Sequence, residues 1–337
     1  MRKTLRLLLP LLLAAPLAQA DYLDHPKTAE LRQRLVNEYR FGKADLDRVD
    51  IALAAAQQLP QLIQAERQNK ESTTPLWDDY LALHVFPKQI DNGLKLLRDY
   101  APWFERAEAE YGVPPVVVAA ILGVETKYGS YTGRHRVLDA LVTQGYEHPT
   151  RQPFFFGELA AFFAFCRDFG YDPLEVKGSY AGAVGYAQFM PSNYLSLARD
   201  YDGDGKVDLW TVPDAIGSIA HYFTAYRNGE RPPAHWKRGE PLLAPAEIDR
   251  LAGSAPERNA RQPNGTVADW LKLGVHSPAE LPPEMPAGLV ELRRPQGPEY
   301  WLALPNFYSV MSYNPRVFYA MAVTQLAADL QQAQAAR

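Results

Sequence analysis

The sequence predicts a mainly α protein, α+β overall, with one small strand-containing insertion. Three observations carry this. Apolar positions recur at helical spacing over most of the 337 residues. The run Val116 to Val124 is apolar on every side, the mark of a helix buried in a core. Residues 230 to about 305 differ in texture. Prolines crowd together there (Pro232, Pro233, Pro241, Pro245, Pro256, Pro263). Short β-type runs such as Gly288-Leu-Val-Glu-Leu and Tyr300-Trp-Leu-Ala-Leu also appear.

In chain order, Met1 to Ala20 reads as a secretory signal. Arg2, Lys3 and Arg6 form its basic region and Leu7 to Leu13 its apolar region. Ala18-Gln19-Ala20 is a small-x-small cleavage site, leaving Asp21 first in the mature chain. The apolar run is too short for a membrane span, and no cysteine near the cleavage site offers a lipid attachment point. A soluble protein outside the cytoplasm, without a lipid anchor, is expected.

Residues 28 to about 66 space apolar positions for helices (Leu31, Leu35, Tyr39, then Leu46, Val49, Ile51, Leu53), and two amphipathic helices joined around Phe41-Gly42 fit best. A looser region with Pro75, Trp77 and Tyr80 follows, and helical periodicity resumes from Ile90 to Tyr111. Pro114 opens the apolar helix at a favoured early position. Glu125 lies near that helix's end, with Gly129 behind it as a terminator. Further helices are expected across residues 154–169, 191–199, 213–228 and 315–333. At this length two or more subdomains are expected. They are an N-terminal helical part (21–100), a core (101–230), the strand-containing insertion (231–305) and a C-terminal segment (306–337) that completes the core.

The net charge is −4, and removing the leader takes away three bases and no acids, giving −7. An acidic chain with scattered bases is a poor nucleic-acid binder. The single cysteine, Cys166, lies in an apolar run, cannot form an internal disulfide and reads as a buried small hydrophobe. Tyrosine is abundant, at 19 residues. Its flat ring and polar tip match sugar faces and edges, but they suit an ordinary core as well.

Two segments carry chemistry. Glu125 is an acid among apolar neighbours, and such surroundings disfavour its charged form and raise its pKa. A carboxyl group that stays protonated can donate a proton to a glycosidic oxygen. Read alone, it could instead be a surface glutamate paired with Lys127. The stretch Ser179 to Tyr194 supplies the second segment. Gly182 and Gly185 allow close backbone approach, Gln188 offers a donor and an acceptor, and Tyr180, Tyr186 and Tyr194 add amphipathic rings. An acid followed by such a groove suits polysaccharide cleavage. Two carboxylates are usual for hydrolysis, yet no motif pairs Asp139, Glu147 or Glu158 with Glu125.

Together, Ala120-Ile-Leu-Gly-Val-Glu-Thr-Lys-Tyr-Gly, the Ser179–Tyr194 stretch and Asn306-Phe-Tyr-Ser-Val-Met-Ser-Tyr-Asn-Pro-Arg-Val-Phe-Tyr resemble the lytic transglycosylase B family. That resemblance is clear over residues 114–228 and 306–321 and faint elsewhere. It implies a lysozyme-like core and cleavage of the MurNAc–GlcNAc β-1,4 bond of peptidoglycan, with formation of 1,6-anhydro ends. By the same resemblance Glu125 is the single acid/base. Ser179 bonds the substrate N-acetyl group, Gln188 and Tyr222 bind the same sugars, Tyr80 and Arg151 are peripheral, and Tyr313, Asn314 and Tyr319 stand near the cleft. The family often has two bases where this chain has Thr150-Arg151. The partners implied are glycan strands and, for such an enzyme, cell-wall synthesis or division proteins. Two other functions stay open on the residues alone: a muramidase or chitinase-type hydrolase that uses water, and a non-catalytic glycan-binding module. The apolar setting of Glu125 weighs against the second.

Asp200-Tyr-Asp-Gly-Asp-Gly-Lys-Val-Asp-Leu-Trp has the spacing of an EF-hand calcium loop. Asp200, Asp202 and Asp204 are the side-chain ligands, Gly205 is the turn residue and Lys206 supplies a carbonyl. Thr211 stands where the bidentate glutamate belongs. By the family resemblance Asp214 supplies the missing carboxylate in a longer loop. A structural Ca2+ is the cofactor this predicts; an Asp/Gly-rich turn without metal is the alternative.

Overall fold

The computed structural model describes residues 22–68, 76–227, 235–249, 251 and 255–336; residues 1–20, expected from sequence to be a secretory signal, lie outside them. The N-terminal part is helical: α1 (Pro26–Tyr39), α2 (Lys43–Ala55), α3 (Pro60–Gln68), α4 (Trp77–His84) and α5 (Pro87–Asp99). Where the periodicity suggested two helices over 28–66 there are three. The extra break comes at Ala56, which is extended (φ −71, ψ 146). Pro60 then restarts the helix, and a proline biases the residue before it toward extended backbone. The region around Trp77 and Tyr80, read as loose, is α4. The helical periodicity read from Ile90 to Tyr111 is divided at Tyr100, whose φ of −118 separates α5 from α6 (Ala101–Tyr111).

The central helix α7 (Pro115–Thr126) is buried along almost its whole length, as its all-round apolar sequence requires. After it come β1 (His135–Arg136), α8 (Val137–Glu147), α9 (Gln152–Phe169), β2 (Lys177–Gly178), α10 (Pro191–Leu197) and α11 (Val212–Ala225). β1 and β2 form a short antiparallel pair with His135 opposite Gly178. Among the described residues, no single helix is long and apolar enough to cross a membrane.

The insertion contains β3 (Leu243–Ile248), β4 (Gly265–Thr266), α12 (Val267–Lys272), β5 (Val275–His276), β6 (Pro286–Arg294) and β7 (Gly297–Ala303). Its strands form an antiparallel sheet in the order β4-β6-β7-β3-β5. The sheet packs a small core of its own around Trp270, with Ala244, Val275, Ala287, Leu289, Leu302 and Leu304. α13 (Pro305–Tyr313) and α14 (Val317–Ala335) return the chain to the main core, where α14 packs on α7, α5 and α4. The fold is therefore mainly α, with a five-stranded sheet in the insertion and the short β1–β2 pair.

Candidate active site

Glu125 occupies the last turn of α7. Three successive left-handed residues end that helix: Lys127 (φ 50), Tyr128 (φ 58) and Gly129 (φ 82). Two of them carry side chains, and such a conformation persists only where surroundings impose it. Thr126 supplies part of that constraint. Its Oγ1 donates to the Leu122 carbonyl at 3.1 Å and accepts the Gly129 amide at 3.0 Å. The Tyr128 ring supplies more, because a Cβ on Gly123 would lie 2.8 Å from it.

Glu125 keeps a minor part of its residue surface exposed while its carboxyl is buried, and the Tyr319 hydroxyl donates to its Oε1 at 2.6 Å. Burial pushes its pKa up to about 7, with the Tyr319 hydrogen bond opposing the rise. The charge partner considered from sequence does not form: the Lys127 ammonium sits 5.9 Å from the Phe86 ring centroid instead. Burial and the adjacent Glu125 charge hold the Tyr319 phenol well above its ordinary pKa, so it remains a donor.

A row of rings extends from this pair. Tyr319 stacks on Tyr313 (6.5 Å, 9° between planes), and Tyr313 meets Tyr222 at 4.7 Å. The Tyr222 hydroxyl donates to the Ser312 carbonyl at 2.7 Å, and the Tyr313 hydroxyl donates to the Ala187 carbonyl. Those two phenols are therefore spent on backbone; Tyr222 and Tyr319 are buried and Tyr313 is partly buried. Tyr80 joins from α4 by packing at 5.4 Å on Phe318, next to Tyr319; burial raises its pKa, Arg316 opposes the rise and the Glu125 charge adds to it. Tyr226, absent from the sequence reading, stacks on Tyr222 at 4.4 Å. Its i,i+4 spacing from Tyr222 was the available signal.

The Gly/Gln stretch forms a tight loop. Gln188 has φ +50, and its amide donates to the carbonyls of Gly185 (2.9 Å) and Thr132 (3.1 Å). The Ser179 hydroxyl accepts the amides of Ala183 at 3.0 Å and Ala181 at 3.3 Å, leaving its own proton to give. Gly182 and Gly185 do permit close approach, but to core leucines: a Cβ would meet Leu141 at 2.5 Å and Leu209 at 2.6 Å respectively. Tyr194, read as a groove surface, is a core residue, packed on Phe165 and Phe169. Asn314 ends α13 beside Tyr313. Arg151 is exposed at the start of α9, its guanidinium over Phe154 (4.5 Å) and Phe155 (5.0 Å), and it joins neither Glu125 nor the tyrosine row.

Among the other acids, Asp139 is paired with Arg136 at 2.7 Å and accepts the Gln57 amide. Glu158 accepts both the amide and the hydroxyl of Ser192. Glu147 accepts from Tyr22 and Gln58. Cys166 is buried, and burial pushes its thiol pKa up. It lines a cavity of about 450 Å³ between α2 and α9 that contains none of the site residues named above.

In the acidic loop, Asp200, Asp202 and Asp214 each present a carboxylate oxygen within 4.8 Å of the others. Asp214 is buried and organises the loop: it accepts the amides of Tyr201 and Asp208, both at 2.7 Å. Asp204 is exposed and stands outside that trio; its carboxylate accepts the Lys206 amide at 2.8 Å. Oxygen-only donors on a loop between two helices fit a hard divalent cation such as calcium.

A family model for the transglycosylase SLT domain matches residues 25–328. The chain belongs to this family. It is 35% identical over 321 residues to membrane-bound lytic murein transglycosylase B of Escherichia coli, a match covering 91% of this chain and 83% of that protein. It also matches the structure of catenated lytic transglycosylase SltB1 from Pseudomonas aeruginosa, with TM-score 0.84, 34% identity and coverage of 93% and 100% of the two chains. The Escherichia coli lytic transglycosylase Slt35 solved with calcium aligns with TM-score 0.80 and 33% identity, over 94% and 96%. This SLT-family chain is a peptidoglycan lytic transglycosylase with the lysozyme-like fold of those relatives.

Proposed function

We propose that Glu125 serves alone as acid and then base in cleaving the MurNAc–GlcNAc β-1,4 bond, leaving a 1,6-anhydro-MurNAc end. Its carboxyl proton passes to the bridging oxygen as the C1–O bond breaks, while the substrate's own N-acetyl oxygen supports C1. The carboxylate then takes the proton of the muramoyl 6-hydroxyl, and O6 bonds to C1. Glu125 finishes protonated and no water is consumed. The observation that carries this reading is the state of Glu125: a desolvated carboxyl with pKa about 7, held by the Tyr319 hydroxyl. Such a group is available in both protonation states near neutral pH. Burial raises the pKa and the Tyr319 hydrogen bond opposes the rise.

The tyrosine row and the Ser179–Gln188 loop are the proposed walls of the glycan cleft. Ser179 retains a hydroxyl proton to donate to an N-acetyl oxygen. Asp200, Asp202 and Asp214, with Asp204 and the Lys206 carbonyl completing the loop, are proposed to hold a structural calcium. The Slt35 structure with calcium supports this. Export to the periplasm fits the signal pattern of residues 1–20 and a cell-wall substrate. Glu125→Gln tests the central residue. Turnover of purified sacculi should fall by about 10²–10⁴-fold, the share assigned to general acid–base catalysis, with the fold intact. A variant within about tenfold of wild type removes Glu125 from the mechanism.

A further inference from the structure

We infer that Tyr131 and Tyr180 form an aromatic rim that stacks on a sugar of the glycan strand beyond the residues at the scissile bond. All 19 tyrosines lie within the described residues, and only these two are exposed, at 58% and 56%. The other seventeen are at least partly covered by protein. An exposed, rigid, amphipathic ring is unusual enough to ask what it meets.

The two rings belong to one place in the fold. Tyr131 follows the strained turn that ends α7, and its amide donates to the Thr126 carbonyl at 3.0 Å. The next residue, Thr132, gives its carbonyl to Gln188 at 3.1 Å. Gly133 then presses so tightly on the other loop that a Cβ would lie 2.0 Å from the Gly178 carbonyl oxygen and 2.6 Å from the Ser179 nitrogen. Tyr180 follows Ser179 directly, and its carbonyl is held by the Gln144 amide at 2.9 Å. The backbones that carry both tyrosines are thus pinned where the two loops meet, beside Ser179. A ring carried on a pinned backbone loses less freedom on contacting a ligand. A sugar ring presents C–H faces to stack on and hydroxyls at its edge, and both tyrosines retain exposed surface for such contact.

The inference rests on the glycan-cleaving reading, and its test separates the two. Steady-state kinetics of the mature enzyme on uncrosslinked glycan strands of graded length would compare wild type, Tyr131→Ala, Tyr180→Ala, the double variant, and Tyr→Phe at each position. Removing each ring should raise KM on long strands by about three- to tenfold, the range that ring stacking contributes beyond area burial. The shortest cleaved strands should be affected less, kcat should hold, and Tyr→Phe should retain wild-type KM. Affinity of long strands for Glu125→Gln, with and without the two alanines, reads binding apart from chemistry. A double variant whose KM and affinity stay within about twofold of the parent at every length overturns the rim. So does an equal loss at all lengths. Should the double variant melt early, the single variants decide alone. A wild type that binds strands but leaves no anhydro ends refutes the catalytic reading and not this one.

Discussion

Glu125 is favoured as an acid and penalised as an anion, and this bears on stability as well as on the proposed chemistry. Its pKa rises from 4.5 to about 7 on folding because burial penalises the charged form. Below pH 4.5 both folded and unfolded chains hold the proton, and the residue costs nothing through this route. Above that, the unfolded chain gives up its proton while the folded one keeps it. Stability therefore declines as pH rises from about 4.5 to 7, then levels off. The full penalty is about 3 kcal/mol at 1.36 kcal/mol per pK unit. Glu125→Gln has no charge to bury, so at pH 8 it should melt above wild type, and at pH 4 the two should converge. Melting curves across that range check it. A variant less stable than wild type at pH 8 would mean that the carboxylate is solvated in the folded protein. Trading stability for a poised acid is the expected cost of such a site.

The end of α7 is an element built around one ring. Tyr128 lies against Gly93 of α5 and Gly123 of α7, and added Cβ atoms there would approach its hydroxyl to 2.4 and 2.8 Å. Gly123→Ala should therefore cost about 1–3 kcal/mol as overpacking, read as a lower denaturation midpoint at unchanged slope. An unchanged midpoint would show that the Tyr128 wedge yields freely. The acidic loop carries its own test. Millimolar calcium should raise the melting temperature of chelated protein, by an amount corresponding to about 2.7 kcal/mol at a hundredfold excess over Kd. Asp202→Ala should lose the shift; no shift in the parent would leave the segment a polar turn. These elements were unequally legible in sequence. α7, α9 and α14 were visible because their apolar pattern is strong. α8 was not, although buried from Val137 to Tyr146. Its interior includes Asp139, Thr143 and Gln144, whose partners are Arg136, the amides of Gln57 and Leu59, and the Tyr180 carbonyl. Most of those partners are remote in sequence, and periodicity cannot supply them. α4 was missed for the same reason: Trp77 is buried against Phe318 from the other end of the chain.

At the scale of the whole molecule, the site exists because the chain closes on itself. Tyr319 on α14 reaches Glu125 across 194 residues of sequence, and Tyr80 reaches the same cluster from the N-terminal part. The insertion between α11 and α13 folds around its own small core, so the chain leaves the main core and returns to it. Glu125, Ser179, Gln188 and the tyrosines could be named from motifs, since their residue types and spacing match a family pattern. Their hydrogen-bond partners could not: that Tyr319 bonds the acid while Tyr222 and Tyr313 bond backbone is decided by tertiary packing. The central claim is that this assembly lets one carboxyl do the work of two and keeps water out of the product. Digestion of purified sacculi by the enzyme in ¹⁸O-labelled water, with mass spectrometry of the released muramoyl ends, tests it directly. Anhydro ends, one water lighter than reducing ends and free of label, are the predicted result. Reducing ends carrying the ¹⁸O label, at a rate that depends on Glu125, would contradict it and make the protein a hydrolase.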